Sequence, residues 1–177
     1  GDSFRLNYRR DQSGFWRCIP GNDLLAILGR SHLWRAARCS TSTEGRAVLA
    51  IGTSEVHRVL SDAVMVFETV EWTYLSHGSG ESWCPTSSFL TLGDQHGSRA
   101  IALPACVDDE LGRIIGVKWV TSFPDNRRTG RPRAQALVIL NDAQTGSPLA
   151  IMDAAEINLL RTVASAHLVQ SKLQDLE

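Results

Sequence analysis

The feature that most restricts the fold of this 177-residue chain is a series of five apolar or alternating runs between residues 87 and 153. Loops carrying Gly, Pro, Asp and Asn separate the runs, and this pattern is typical of β-strands joined by turns. The runs are SSFLTL (87–92), RAIALPAC (99–106), RIIGVKWVTSF (113–123), AQALVILND (134–142) and PLAIMD (148–153). The turn sequence DAQTG joins the last two runs, which therefore predict the two arms of a hairpin.

Helical patterns lie on both sides of these predicted strands. A short strand, VLAIG (48–52), precedes a helix that begins at Thr53 or Ser54 and a longer helix that ends at Gly78. A final helix is predicted over residues 154–174. Because strands and helices do not alternate as in βαβ units, the predicted fold class is α+β, with the strands in one sheet.

The first 47 residues differ in composition from the rest of the chain. They are rich in Arg, Ser and Thr around one helical pattern, NDLLAILGRSHLWRAAR (22–38), and they end in the polar segment STSTEGR (40–46). A length of 177 residues with 43% hydrophobic content suits one principal core. We therefore predict an N-terminal extension and linker of unassigned role over residues 1–47, and one domain over residues 48–177.

The charge and the hydropathy of the chain argue against nucleic acid and membrane as partners. A net charge of -1 supplies no field that would attract nucleic acid, and the arginine-rich loop RRTGRPR (127–133) is short and has no interleaved aromatic residues. No apolar run reaches the roughly 20 residues that span a bilayer, and residues 1–20 lack the layout of a signal peptide. We expect no nucleic-acid partner, no membrane partner and a cytoplasmic location.

The spacing of the potential metal ligands is unfavourable for a metal site. The four cysteines are widely scattered with no CxxC pair, and the five histidines form no close pair. The cysteines are Cys18, Cys39, Cys84 and Cys106. We predict reduced thiols and no bound metal.

Lys118 is the most unusual residue of the predicted strands, because almost every other position of RIIGVKWVTSF is apolar. Such a strand is covered on both faces, and a buried ammonium group needs a partner. One interpretation is a lysine at a strand edge whose apolar stem reaches out to water. The other is a cation directed at an anionic or carbonyl-bearing ligand.

Arg161 is the second unusual cation. In the final helix it falls between Ile157 and Leu168, on the margin of the apolar face. A guanidinium group there could hold a carboxylate through two hydrogen bonds, or it could form an internal salt bridge with Asp153 or Glu156. Both interpretations remain open from the sequence.

Four segments of the chain resemble a known family. GVKWVTSFPDNRRTGRPRAQALVILNDAQTGSPLAIMD, followed by LLRTVASA, is similar to the ornithine cyclodeaminase/mu-crystallin family. HGSGESWCPTSSFL and RAIALPA resemble its branch of N-(2-amino-2-carboxyethyl)-L-glutamate synthase-like proteins of diaminopropionate biosynthesis. The resemblance covers about residues 48–166. It implies a mixed, mostly antiparallel sheet with flanking helices, which is the substrate-binding and dimerisation domain of that fold.

The resemblance also implies which residues bind substrate. The lysine of the family's GVK motif corresponds to Lys118, with a catalytic and substrate-binding role, and the arginine of its RT motif corresponds to Arg161. Thr162 is a further candidate, with an ordinary helix residue as the alternative. Cyclodeaminases proper carry an arginine near the segment PTSSFL, where this chain has Ser87 and Ser88. We expect these serines to contribute to binding an amino-acid adduct in place of ornithine.

Complete family members transfer a hydride between an amino-acid substrate and NAD, which binds a Rossmann domain. The sequence QSKLQDLE, at the end of this chain, stands where the family continues into that domain. The one GxG, in HGSGESW (77–83), follows a predicted helix, and we predict a turn there. We therefore expect a homodimer that binds no NAD by itself, as a fragment of an enzyme or one half of a split enzyme with a separate Rossmann-domain partner. The alternative is a non-catalytic dimeric module that binds an amino acid.

Overall fold

The part of the chain that the structure describes is built around one mixed sheet of seven strands. The computed structural model describes residues 48–93, 97–109 and 112–174. The strands are β1 (Leu49–Ile51), β2 (Ser82–Trp83), β3 (Ser88–Thr91), β4 (Arg99–Asp109), β5 (Gly112–Ser122), β6 (Ala134–Asp142) and β7 (Pro148–Asp153). The predicted N-terminal extension lies outside the described residues.

The order of the strands is β1-β7-β6-β5-β4-β2, and β3 also pairs with β4. Only the β1–β7 pair is parallel among the described strands, and the other pairs are antiparallel. The predicted hairpin of β6 and β7 is present, with a register shift between Leu140 and Asn141. The expectation of an α+β fold with a mixed, mostly antiparallel sheet is therefore confirmed.

In the described residues, three helices pack against the sheet: α1 (Thr53–Leu60), α2 (Ala63–Ser79) and α3 (Ala155–Gln174). Asp62 caps α2, since its Oδ1 accepts hydrogen bonds from the backbone N–H groups of Val64 and Met65, both at 3.1 Å. Asp153 performs the same task for α3, because its Oδ1 accepts from Ala155 N at 2.9 Å. The other Asp153 oxygen accepts from the Thr53 hydroxyl and thereby joins the start of α1 to the end of β7.

The chain after α2 differs from the sequence prediction. The helix does not end at Gly78 but continues to Ser79, and Gly80 closes it in the left-handed conformation with φ 86°. Only glycine adopts this conformation without a steric cost, which explains the position of the helix end. The predicted turn after it contains the two-residue strand β2, which is too short to leave an alternating pattern in the sequence. The loop after β5 contains a 3-10 helix, Pro124–Thr129.

The two faces of the sheet have different environments. Alternate residues of the central strands, among them Ile114, Val138 and Met152, point toward the helices and are buried. We call this side the covered face. The opposite side, the open face, carries large apolar side chains that are 36% to 56% exposed: Trp83, Leu90, Ile115, Trp119, Leu137, Ile139 and Ile151.

Helix α3 covers the middle of the sheet with one stripe of side chains. Ile157, Ala164 and Leu168 are buried on this stripe, and Arg161 occupies the same helical face between them. An arginine is therefore held against the covered face of the sheet at a position where the neighbouring turns carry apolar residues.

Candidate functional site

Lys118 lies on the covered face at the centre of the sheet. Strand β5 is flanked by β4 and β6, and Lys118 is directly opposite Leu103 on one side and Val138 on the other. Its exposed fraction is 3%. The interpretation of a lysine at a strand edge that reaches out to water is therefore wrong. Placing an ammonium group here costs solvation, which the fold must offset with polar contacts.

Lys118 and Arg161 converge on a single acceptor. The Nζ of Lys118 donates a hydrogen bond to Oδ1 of Asn158 at 3.1 Å. The Nη2 of Arg161 donates to the same oxygen, also at 3.1 Å. The two nitrogens are therefore no more than about 6 Å apart, although they come from a strand and a helix that are distant in sequence. We call Lys118 and Arg161 the cation pair.

Asn158 cannot be recognised as part of this site from its residue type alone. Asparagine at a helix position is usually exposed and forms no defined contact. The signal that points to it is its spacing, since it lies three residues before Arg161 and shares that side of the helix. Its backbone carbonyl accepts the Thr162 hydroxyl at 2.8 Å.

Arg161 is only partly satisfied by its surroundings. Its Nε is buried and has no hydrogen-bond partner, and among the described residues it takes part in no salt bridge. The predicted alternative of a salt bridge with Asp153 or Glu156 is wrong, because both carboxylates serve other groups. Asp153 joins Thr53 and Ala155, and Glu156 pairs with His57 at 2.9 Å. A buried N–H without an acceptor is uncommon in a native protein.

The other predicted residues are not brought to the cation pair by any hydrogen bond. Thr162 is exposed on α3 and bonds to the helix backbone. Ser87 is half-buried in the loop before β3. Ser88 pairs with Ala102, whose partner on β5 is Trp119, so Ser88 belongs to the open face. Substrate contacts of these three residues remain predictions.

Asp108 and Cys106 have perturbed pKa values, and both lie on the open face of the sheet. On the open face, the Arg113 guanidinium holds both carboxylate oxygens of Asp108, at 2.7 and 2.8 Å, and lowers the pKa of that carboxyl. Arg113 also stacks over Trp83 at 4.9 Å. Burial raises the pKa of the Cys106 thiol, which makes it a poor nucleophile. Neither feature suggests a reactive centre.

The described part of the chain offers no group of three His, Cys, Asp or Glu side chains that could hold a metal ion. No helix within that part is long and apolar enough to cross a membrane. The cation pair supplies two hydrogen-bond donors to a ligand. These donors are an ammonium group and a guanidinium group beside the first turns of α3, where the helix dipole also favours negative charge.

Comparison with protein-family models identifies the family of this chain. Residues 53–174 match the model of the ornithine cyclodeaminase/mu-crystallin family, and the match covers both members of the cation pair. The chain belongs to this family. The resemblance predicted from the sequence is thus confirmed, and so is the family's fold.

Several family members are similar to the chain. N-((2S)-2-amino-2-carboxyethyl)-L-glutamate dehydrogenase of Staphylococcus aureus is 28% identical over 141 residues, which are 74% of this chain and 42% of that protein. An archaeal alanine dehydrogenase, solved as a dimer with bound NAD, is 32% identical with a TM-score of 0.59, over 67% of this chain and 34% of that one. Thermococcus litoralis Δ1-pyrroline-2-carboxylate reductase, solved with NADH and L-proline, is 28% identical with a TM-score of 0.62. The match covers 67% of this chain and 36% of the reductase.

The chain spans between 29% and 42% of the length of the first three curated relatives that it matches. The archaeal alanine dehydrogenase structure contains NAD and the T. litoralis reductase structure contains NADH. The one GxG of this chain does not fit a dinucleotide. It lies at the C-terminal end of α2, where Gly80 donates to the carbonyls of Ser76 and His77. A pyrophosphate needs the N-terminus of a helix, and a C-terminus presents the opposite pole of the dipole.

Proposed function

We propose that this chain is the substrate-binding and dimerising part of an NAD-dependent amino-acid oxidoreductase, and that the cation pair binds the carboxylate of the amino acid. The observation that carries the proposal is the unpartnered, buried Nε of Arg161 beside an oxygen that Lys118 also contacts. A carboxylate supplies two oxygens in one plane, which suits the fork of a guanidinium group.

Lys118 has a second task in this proposal. Its ammonium group is held among apolar neighbours, so its hydrogen bonds and its charge act in a medium less polar than water. We assign to Lys118 the catalytic role of holding a proton and a positive charge beside the reacting carbon of the substrate. NAD supplies the hydride chemistry in complete enzymes of this kind.

Within this class, the substrate we propose is an amino-acid adduct of the diaminopropionate type. The support is the similarity to the S. aureus dehydrogenase, which extends over 74% of the chain. N-((2S)-2-amino-2-carboxyethyl)-L-glutamate carries more than one carboxylate, and Ser87, in the loop before β3, is the predicted residue that we propose for a second one. L-Alanine and L-proline carry one carboxylate each and serve as comparison ligands.

The proposed assembly is a homodimer formed through the open face. Large apolar side chains on this face are 36% to 56% exposed, and a sheet face of this kind is usually covered in a stable protein. A two-fold contact between identical sheets would bury the same residues twice. The archaeal alanine dehydrogenase of the same family was solved as a dimer.

Cofactor binding is proposed to lie outside residues 1–177, on a continuation of the polypeptide or on a Rossmann-domain partner. The reason is the position of the GxG at a helix C-terminus, which disfavours a pyrophosphate. The chain by itself is then expected to bind the amino acid without binding NAD, and with low affinity, because in this proposal the domain that closes over the ligand lies elsewhere.

The test is calorimetric titration of the purified chain with L-proline, L-alanine and N-((2S)-2-amino-2-carboxyethyl)-L-glutamate. L-Prolinamide, which lacks the carboxylate, is the matched ligand. We expect binding of the carboxylates, strongest for the adduct, and none of the amide. Arg161→Met should weaken binding about 10- to 150-fold, the equivalent of a charged hydrogen bond. Arg113→Met, which removes an arginine from the open face, is the control and should not weaken binding. Equal binding of proline and prolinamide would refute the proposal.

A further inference from the structure

Asn158 contacts both cations of the site, but the proposed binding of a carboxylate by Lys118 and Arg161 gives it no role. Two cations are usually held by a carboxylate, yet here the shared acceptor is an amide oxygen. We propose that Asn158 is a positioning and specificity-determining residue: its neutral oxygen aligns Lys118 and Arg161 and adds no negative charge that would repel an anionic ligand. This inference rests on the proposed function and adds to it the reason for the selectivity toward carboxylates.

The orientation of the Asn158 amide follows from its partners. Lys118 Nζ and Arg161 Nη2 are donors that cannot accept, so the oxygen and not the nitrogen must face them. The Nδ2 group, the other branch of the amide, makes no hydrogen bond to the described residues. Asn158 therefore offers a further donor at the same site, where the Nε of Arg161 is also without a partner.

The backbone of Asn158 fixes this arrangement. Its N–H donates to the carbonyl of Ala154 at 2.9 Å, and its carbonyl accepts from the Thr162 hydroxyl at 2.8 Å. Ala154 is fully buried, and Asp153 caps the helix just before it. The amide oxygen is thus held at a defined place above β5, which determines where the two cationic side chains meet.

Replacing the Asn158 amide with a carboxylate would change the charge of the site without changing the size of the side chain. Aspartate has the same size as asparagine and would also accept from both cations, but its charge would compensate theirs and repel an incoming carboxylate. A residue with a merely structural role would tolerate this exchange, since the contacts would be retained and strengthened. A residue that must remain neutral would not tolerate it.

The experiment compares Asn158→Asp and Asn158→Leu with the unaltered chain, using L-proline binding by calorimetry, thermal unfolding, and the Cε signal of Lys118 in chain labelled with 13Cε-lysine. For Asn158→Asp we expect binding at least about tenfold weaker, because like charges then face each other, with a Tm no lower than that of the unaltered chain. For Asn158→Leu we expect weaker binding, a lower Tm and a displaced Lys118 signal, because the shared acceptor is lost.

Asn141→Asp is the matched control. Asn141 donates to the Gly146 carbonyl in the β6–β7 turn, so the same chemical change is made away from the cation pair, and proline binding should be unaffected. Retained affinity in Asn158→Asp, or an unchanged Lys118 signal and affinity in Asn158→Leu, would overturn the inference. If the unaltered chain bound no carboxylate ligand, the proposed function itself would fail, and the two failures are therefore distinguishable.

Discussion

Lys118 and Arg161 donate to the same oxygen atom, Oδ1 of Asn158, each over 3.1 Å. One cation comes from the middle of the central strand β5 and the other from the helix that covers the sheet. Two like charges at this separation repel each other, so the fold maintains the arrangement at some cost to its stability. Costs of this kind are concentrated at functional sites, where the arrangement serves a ligand.

The first consequence concerns the stability of a variant at Lys118. Lys118→Met retains the length and the apolar stem and removes a charge that is 3% exposed. We expect the free energy of unfolding to rise by about 1 kcal/mol, because a well-packed apolar group avoids the desolvation cost, while carboxylate binding is lost. Urea unfolding gives the value. Lys172→Met, which removes a more exposed lysine that pairs with Glu71, is the control. A loss of more than about 1 kcal/mol in Lys118→Met would indicate a structural role.

The position at which α2 ends can be tested by substituting Gly78 and Gly80. Gly80→Ala should lower the free energy of unfolding by about 1 kcal/mol, because its φ of 86° is unfavourable for a residue with a Cβ. Gly78 lies within the helix, and an added Cβ meets nothing within 4 Å. Gly78→Ala should therefore raise stability by about 0.5–1 kcal/mol. If both substitutions changed the urea midpoint in the same direction, the helix would not end at Gly80.

The open face is expected to be the dimer contact. Trp119→Lys places a charge among the apolar side chains of neighbouring strands and should shift the chain from dimer to monomer. The equivalent substitution on a helix, Val64→Lys, changes a residue that is 66% exposed on α2 and should leave the dimer intact. Light scattering over a range of concentrations distinguishes the two states. A dilute, folded monomer of the unaltered chain would contradict the assignment.

The pair of Asp108 and Arg113 predicts a small pH effect. Because the hydrogen bonds from Arg113 lower the pKa of the Asp108 carboxyl in the folded state, this pair stabilises the fold above the ordinary pKa of aspartate. The stabilisation is lost as the pH falls through the lowered pKa, and it is modest because both side chains are substantially exposed. In Arg113→Met, an NMR titration of the carboxyl carbon should give a higher pKa for Asp108. Arg58→Met should leave it unchanged.

Much of the fold can be predicted from the sequence because each long element has a clear local pattern. The alternating residues of β6 and β7 and the turn between them predict the hairpin with its observed bounds. The short strand β2 cannot be predicted in this way, since its pairing with β4 depends on tertiary contacts. The position of Gly80 at the helix end is likewise decided by backbone conformation and not by residue order alone.

The candidate site is only partly predictable for the same reason. Lys118 and Arg161 are conspicuous because each is a cation among apolar residues of its own element. That they meet at Asn158 depends on how α3 lies across the sheet, which no local pattern specifies. Ser88 illustrates the opposite case: its neighbourhood in sequence suggested a substrate contact, whereas the register of β3 assigns it to the open face.

The central claim, that the cation pair binds the carboxylate of an amino acid, can be tested by observing Lys118 directly. The chain has only two lysines, Lys118 and Lys172, so 13Cε-lysine labelling yields two side-chain signals, which Lys118→Met assigns. Titration with L-proline should shift the Lys118 signal in a saturable manner and leave unchanged that of Lys172, which pairs with Glu71 of α2. L-Prolinamide should shift neither signal. A Lys118 signal that does not move while proline binds, or that moves equally with the amide, would contradict the claim.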